Sequence, residues 1–96
     1  MRERDVESWL GKQIIKMGGL FYKWVSPGNA GVPDRIAILP GGVILFVELK
    51  TDKGKLSPTQ RHVQEVLKEK GCNVSTIYGM EEAEKLVSYL KGVTDG

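Results

Sequence analysis

The sequence predicts a single α/β domain in which helices flank a mixed β-sheet. Ninety-six residues are enough for one small domain. Segments with helical spacing of apolar residues alternate with short segments rich in β-branched residues, in the order αβββαβα. A strand, a helix and a further strand near the end of the chain permit a parallel crossover. We therefore expect parallel and antiparallel pairs within one sheet.

The first helix and the first strand are predicted in the first quarter of the chain. The apolar stripe of the helix consists of Val6, Trp9, Leu10, Ile14 and Met17. Gly18-Gly19 ends this helix, as glycine commonly does. Leu20 to Val25 is rich in aromatic and β-branched residues and is predicted to be a strand. Ser26 to Pro33 holds two glycines and two prolines, which predicts a loop.

The middle of the chain predicts a β-hairpin. Arg35 to Leu39 and Val43 to Lys50 are strand-like, and Pro40-Gly41-Gly42 is a tight turn between them. The second of these strands begins with apolar residues on both faces, which is typical of a central strand.

A polar loop from Thr51 to Leu56 leads into the second helix. Ser57 is a suitable N-cap, Pro58 lies in the first turn, and Gln60 completes a capping box three residues after the cap. Gly71 ends this helix.

A strand from Asn73 to Tyr78 and a helix from Met80 to Leu90 complete the predicted elements. The sequence shows no internal repeat and no second domain. We expect one domain over residues 1–96, with its core at about residues 3–90.

Composition and charge exclude several classes of protein. The chain has 14 Lys and Arg against 12 Asp and Glu, and this net charge of +2 neither indicates nor opposes a nucleic-acid partner. Cys72 has no second cysteine to pair with, so we expect a reducing compartment. No apolar run approaches the roughly 20 residues of a membrane span, and the N-terminus lacks a signal-peptide core. We therefore expect a cytoplasmic protein without a membrane partner.

Two acids at the ends of apolar strands are the most informative residues. If the turn is a three-residue hairpin loop, the register puts Asp34 opposite Glu48. Like charges that are directly opposed destabilise a sheet, and buried charges are costly unless something pairs them. A divalent cation between the two carboxylates would offset both the repulsion and the cost of burial. A two-residue loop would shift the register by one and break this alignment.

The donor atoms favour Mg²⁺, with Mn²⁺ as a substitute, over zinc because they are all oxygens. The expected metal ligands are Asp34, Glu48 and the backbone carbonyl of Leu49. Lys50 shares a face with Glu48 and would orient a water or hold a phosphate as a point charge. A metal beside a lysine suits phosphodiester hydrolysis. The candidate catalytic residues are Asp34, Glu48, Lys50, Gln60 and Glu7.

These motifs resemble those of the PD-(D/E)xK nuclease superfamily. The more specific resemblance is to the VRR-NUC family, the virus-type replication-repair nucleases, and it extends over about residues 3–90. The segments that carry it are Gly31-Val32-Pro33-Asp34, Glu48-Leu49-Lys50 and Ser57-Pro58-Thr59-Gln60, together with Glu7 in the first helix.

The resemblance implies a restriction-endonuclease-like αβββαβ core and a Mg²⁺-dependent endonuclease that acts on DNA. Short members of the family look like phage or prophage proteins, which implies a bacterial or phage-encoded chain. They are similar to Holliday junction resolvases in being compact and dimeric. Branched DNA and a homodimer are therefore the expected partners.

Each candidate also has a structural explanation. Asp34 could be a turn residue after proline, and Glu48 with Lys50 could be a strand end that faces solvent. Gln60 could serve only as the capping partner of Ser57. Glu7 could simply complement the helix dipole.

Phosphate contacts are expected from residues near the predicted site, with a solvated charged surface as the alternative. The candidates are Lys53, Lys55, Arg61, Lys23, Ser26 and Asn29. His62 is expected to be exposed, and the aromatic residues Trp9, Trp24 and Phe46 are expected in the core. Candidates for a dimer interface are Leu20, Phe21, Tyr22 and Tyr89.

The main alternative function is a non-catalytic module that binds branched or single-stranded nucleic acid. Such a module gains nothing from carboxylates clustered where phosphate must approach. A small-molecule or protein-interaction domain is a weaker alternative, and it predicts no interaction with DNA at low salt.

Overall fold

The computed structural model describes residues 2–95, and Met1 and Gly96, the ends of the predicted domain, lie outside the described residues. Within residues 2–95 the chain forms three helices and four strands in the predicted order. They are α1 (Glu3–Lys16), β1 (Leu20–Lys23), β2 (Arg35–Leu39), β3 (Val43–Lys50), α2 (Pro58–Glu69), β4 (Asn73–Tyr78) and α3 (Gly79–Asp95). The described strands form one sheet of order β1-β2-β3-β4, which confirms the predicted α/β class.

The pairing of β2 with β3 confirms the predicted register of the hairpin. Leu39 pairs with Val43 and Arg35 pairs with Val47, so the connecting loop has three residues. β3 also pairs with β4 in parallel, whereas β1 pairs with β2 antiparallel. The sheet is therefore mixed, with β3 between two neighbours.

Two elements differ in length from the prediction. β1 ends at Lys23 rather than Val25, because the chain turns into the proline-containing loop after Trp24. The Trp24 N–H still donates to the Asp34 carbonyl oxygen at 3.0 Å. α3 extends beyond Leu90 to Asp95 and continues through Gly92. Even so, none of the helices within residues 2–95 is long and apolar enough to cross a bilayer.

The main core lies between one face of the sheet and the helices α1 and α3. Alternate strand residues point to this face, and they meet the apolar stripes of both helices. Its buried residues are Val6, Leu10, Ile14, Ala37, Leu39, Leu45, Val47, Leu49, Ile77, Ala83, Val87 and Leu90. Each large side chain buried here stabilises the fold by about 1.5–3 kcal/mol.

The opposite face of the sheet is covered only in part, by α2. Gln64 of α2 is 6% exposed and exchanges two hydrogen bonds with the Thr76 hydroxyl, at 2.9 and 3.1 Å. These bonds fix α2 over β4. Trp24 and Phe46, expected in the core, are half-buried on this face with ring centroids 4.9 Å apart. The part of this face that α2 does not cover is open.

Candidate active site

The hairpin brings Asp34 and Glu48 together, as the register requires. Asp34 directly precedes β2, and one further step of the ladder beyond Arg35 and Val47 sets it opposite Glu48. The Asp34 Oδ2 atom accepts the backbone N–H of Leu49 at 2.9 Å. This bond fixes the Asp34 carboxylate against the strand that carries Glu48.

Pro33 affects the hydrogen bonding of the Leu49 backbone carbonyl. Continuing the same register sets Pro33 opposite Leu49, and proline has no N–H to donate across the ladder. The N–H and C=O of one strand residue point to the same side of the strand. The Leu49 carbonyl is therefore directed towards the side where its N–H meets Asp34, with no ladder donor opposite it. This arrangement makes it available as an oxygen ligand.

Glu48 is the most unusual residue in the structure. Its side chain is 2% exposed, and its Oε1 atom has no hydrogen-bond partner within residues 2–95. Burial raises the pKa of the Glu48 carboxyl from 4.5 to about 8, and the negative charge of Asp34 is the second cause. Lys50, two residues along the same strand face, lowers the pKa. A cation between the two carboxylates would remove the cost of this arrangement.

Gln60 connects α2 to this acid pair while it also caps its helix. The Gln60 Oε1 atom accepts a hydrogen bond from the backbone N–H of Ser57 at 2.9 Å. The backbone N–H of Gln60 donates to the Ser57 hydroxyl at 3.1 Å. The Gln60 Nε2 atom lies 3.4 Å from Glu48 Oε2. The two explanations of Gln60 are therefore compatible, because one end of its amide serves the cap and the other meets Glu48.

Glu7 is not brought to the acid pair. Its Oε2 atom accepts from the Arg35 Nε atom at 2.8 Å, and the Arg35 guanidinium also lies 4.9 Å from the centre of the Phe21 ring. Arg35 pairs with Val47, so its side chain lies on the α1 face, opposite to the face of Asp34 and Glu48. Glu7 therefore ties α1 to the sheet beside the candidate site.

Glu3 is the acid of α1 whose charge acts on Glu48. It lies in the first turn of α1, and its negative charge contributes to the raised pKa of Glu48. Glu3 and Glu7 are four residues apart, so they share one side of the helix. This spacing alone does not predict which of the two helical turns approaches the acid pair.

A close backbone contact holds the loop before Asp34 against α2. Gly31 has φ +88°, and a Cβ atom there would lie 2.9 Å from the Thr59 carbonyl oxygen and 2.8 Å from its Cγ2 atom. Only glycine combines this conformation with this approach. The contact sets the Asp34 loop beside the first turn of α2, where Gln60 lies.

The candidate phosphate contacts lie at several places around the site. Lys53 and Lys55 are exposed in the loop after β3, and Arg61 and His62 are exposed on α2. Lys23 is exposed but pairs with Arg35, so it points to the face opposite the acid pair.

Ser26 and Asn29 are engaged with each other inside their loop. The Asn29 Nδ2 atom donates to the Ser26 hydroxyl at 3.1 Å and to the Pro27 carbonyl at 3.4 Å. These bonds shape the loop that leads towards Asp34.

The donors at the acid pair fit a hard divalent cation. They are two carboxylates and a backbone carbonyl, and the residues from 2 to 95 contain no group of three or more His, Cys, Asp or Glu placed to hold a metal ion. Mg²⁺ is commonly held by one or two carboxylates while it keeps several waters. The unpartnered Glu48 Oε1 atom is the donor that such an ion would satisfy.

Comparisons with known proteins agree with this fold. A solved VRR-NUC domain superposes with a TM-score of 0.84 at 33% sequence identity, and the match covers 90% of this chain and 94% of that one. The protein named "Putative nuclease p44" of Acyrthosiphon pisum secondary endosymbiont phage 1 is 48% identical over 60 residues, which are 62% of this chain and 64% of that protein. This chain thus matches just under two thirds of that relative's length. The VRR-NUC domain family matches residues 11–81, which is most of the sequence. The chain belongs to the VRR-NUC family.

Proposed function

We propose that this protein is a metal-dependent DNA endonuclease that hydrolyses phosphodiester bonds. The observation that supports this proposal most directly is the burial of Glu48, with an unpartnered oxygen, against Asp34. A buried acid beside a second acid destabilises a fold unless a cation compensates the pair. A domain that only binds nucleic acid would have no use for this arrangement, because the pair repels phosphate.

The residues that would hold the metal are Asp34, Glu48 and the carbonyl of Leu49. Mg²⁺ is the expected ion, with Mn²⁺ as a substitute, because the donors are oxygens and few in number. When bound, the ion would supply polarisation of a water and neutralisation of charge on the phosphate. Glu3, through its proximity to Glu48, is a candidate to hold a water of that ion.

The residues around the pair would orient the reacting groups. The Leu49 N–H holds Asp34, and the Gln60 amide holds Glu48, so neither carboxylate has to reorganise. Lys50 would bring an ammonium to a phosphate oxygen or to the attacking water. Lys53, Lys55 and Arg61 would hold the flanking phosphates, with smaller contributions from Ser26 and Asn29.

Branched DNA, such as a four-way junction, is the substrate class that we propose. The described residues include no helix-turn-helix or zinc site for base-specific reading. Resolution of a junction needs two opposed nicks, which a twofold homodimer supplies. The phage relative supports a bacterial or phage-encoded origin for this activity, and therefore a cytoplasmic setting.

A cleavage panel tests the proposal. Four-way junctions, flaps, nicked duplex and plain duplex are incubated with Mg²⁺, with Mn²⁺ or with EDTA. We expect cleavage of branched DNA with either metal and none with EDTA, and none by the matched variant Glu48→Gln. Binding of branched DNA without cleavage in either metal would instead support the non-catalytic module.

A further inference from the structure

The interface between α2 and the sheet buries two polar side chains, and the proposed hydrolysis uses only one of them. Among the residues that the structure describes, Glu48 and Gln64 are the buried polar or charged side chains. Glu48 belongs to the acid pair, whereas no step of the proposed hydrolysis uses Gln64. Thr76 connects the two. It pairs with Glu48 in the parallel register of β3 with β4, and its hydroxyl exchanges two hydrogen bonds with the Gln64 amide.

Gln64 is the point at which α2 is anchored to the sheet. Of the twelve residues of α2, all of which the structure describes, Gln64 is the only one that is buried. The apolar residues of the helix are less enclosed, because Val63 and Leu67 are half-buried and Val66 is exposed. Apolar contacts are non-directional, whereas hydrogen bonds of 2.9 and 3.1 Å fix the positions of donor and acceptor. The orientation of α2 therefore depends on Gln64 more than on its apolar residues.

Gln60 lies on the same side of α2, one turn before Gln64. Residues four apart on a helix share one side and are about 6 Å apart along the axis. Glu48 and Thr76 are neighbours on adjacent strands, which are about 4.8 Å apart. The Gln60 amide meets Glu48. The Gln64 amide meets Thr76, so two glutamines of one helix contact two neighbouring side chains of the sheet.

The contact between Gln60 and Glu48 is the longer of these two contacts. The Gln60 Nε2 atom lies 3.4 Å from Glu48 Oε2, whereas the Gln64 Nε2 atom lies 2.9 Å from the Thr76 hydroxyl. Hydrogen bonds with a nitrogen donor weaken beyond about 3.2 Å. The oxygen of the Gln60 amide is held by the Ser57 N–H at the start of the helix, so this amide moves with α2. A small rotation of α2 would therefore break the contact with Glu48.

We propose that Gln64 is a positioning residue of the candidate active site, which sets the rotation of α2 at which Gln60 reaches the Glu48 carboxylate. Gln64 does so by its two hydrogen bonds to Thr76. The inference deepens the proposed function, on which it rests for the role of Glu48. Removal of a residue that orients a metal-binding group typically changes metal affinity or activity by about 10–100-fold.

The effects of Gln64 on stability and on positioning can be separated, because Gln64 and Thr76 bond to each other. Removing one partner leaves a buried polar group unsatisfied, whereas replacing both by apolar groups of similar shape is close to neutral. The double variant Gln64→Leu with Thr76→Val should therefore melt at a higher temperature than either single variant. It should nevertheless lose the directional anchor of α2. Thr76→Ser, which keeps the hydroxyl, is the matched control.

Nuclear magnetic resonance of the metal-free protein in EDTA tests the positioning without any cleavage. The side-chain amide signal of Gln60 is assigned by its loss in Gln60→Ala. We expect this signal to shift towards the position of a free glutamine amide in Gln64→Leu and in the double variant, and to stay in place in Thr76→Ser. Thermal melts of the same samples verify that each variant is folded. An unchanged Gln60 signal in the folded double variant would overturn the inference.

Cleavage kinetics supply an independent measurement. If Gln64 acts through Gln60, Gln64→Leu should lower kcat on the order of tenfold and leave KM unchanged. In a Gln60→Ala background the same substitution should lower kcat little further, because the two effects are then not additive. Equal losses in both backgrounds would overturn the inference. Absence of cleavage by the wild-type protein would overturn the proposed function, and the Gln60 signal would still decide whether Gln64 positions α2.

Discussion

The Asp34 carboxylate accepts the backbone N–H of Leu49, on the strand that also carries the buried acid Glu48. Pro33 opposes the same Leu49 and offers it no N–H. The Pro-Asp dipeptide thus replaces a regular ladder step with a carboxylate and leaves a carbonyl free. The oxygen donors of the candidate site are therefore a consequence of a side-chain hydrogen bond that stands where a regular ladder would have a backbone one.

Removing either acid should abolish cleavage and leave the fold intact. We expect Glu48→Gln and Asp34→Asn to lower the rate at least about a hundredfold, because each loses a charged metal ligand. The asparagine introduced by Asp34→Asn keeps an oxygen for the Leu49 N–H, so folding should survive. Cleavage assays and circular dichroism melts are run on the same samples. Near-wild-type cleavage by both variants would remove the metal-site assignment.

The metal-free protein should lose stability as pH rises from about 4.5 to about 8. The folded state raises the pKa of Glu48 to about 8 from 4.5, so it keeps a proton that the unfolded chain releases over this range. Stability from this group is complete below pH 4.5 and is lost by about pH 8. Thermal melts in EDTA across this range, compared with Glu48→Gln, isolate the effect. We expect Glu48→Gln to be more stable by about 1–3 kcal/mol at pH 8, and parallel pH curves would contradict the prediction.

Lys50→Ala should lose cleavage while it keeps most of its affinity for Mn²⁺, because an ammonium is not a metal ligand. Lys50→Arg should restore little activity, since a planar guanidinium does not replace a compact point charge. Calorimetric titration with Mn²⁺ beside single-turnover cleavage measures both quantities. A loss of Mn²⁺ binding in Lys50→Ala would indicate a different arrangement of the site.

Gly31→Ala should reduce cleavage by displacing the Asp34 loop from α2. The added Cβ atom would clash with Thr59, in addition to the strain of a positive φ of about 1–3 kcal/mol. Gly28→Ala is the matched control, because Gly28 also has a positive φ but would place its Cβ atom in open space. We expect an at least tenfold larger loss of cleavage for Gly31→Ala, and equal losses would show that the Thr59 contact has no role in activity.

DNA affinity should fall steeply with salt concentration, because phosphate contacts dominate when no base readers are present. Lys53→Ala and Lys55→Ala should each flatten the slope of log affinity against log salt by up to about one unit. Fluorescence anisotropy with a labelled junction and EDTA measures the slope. Lys12→Ala, an exposed lysine on α1, is the control, and an unchanged slope in the double variant would exclude the loop.

Much of the fold could be predicted because its signals are local. The three-residue turn, the capping box of Ser57 and Gln60, and the order of helices and strands along the chain depend on residues close in sequence. The register in particular followed from the length of one turn, and it alone sets Asp34 opposite Glu48. The ends of β1 and α3 were less well predicted, because β1 stops short of its glycine- and proline-rich loop and α3 continues through Gly92.

The remaining features of the site depend on contacts that the sequence pattern does not encode. Glu7 forms a salt bridge with Arg35, 28 residues away, and the spacing of acids along α1 does not predict this contact. Gly31 and Thr59 have the same separation in sequence, and the sequence pattern does not predict their contact either. Both contacts arise from packing between elements, so only the folded structure reveals them.

The position of the acid pair within the hairpin has a consequence for how the chain folds. Asp34 and Glu48 lie near the open end of the hairpin, beyond the paired steps of the ladder that run from Leu39 and Val43 to Arg35 and Val47. A hairpin that zips from its turn within microseconds meets this repulsive rung only after the favourable ones have formed. The same two charges placed beside the turn would oppose nucleation itself. We therefore expect the costly pair to close after the steps of the hairpin that lie nearer the turn.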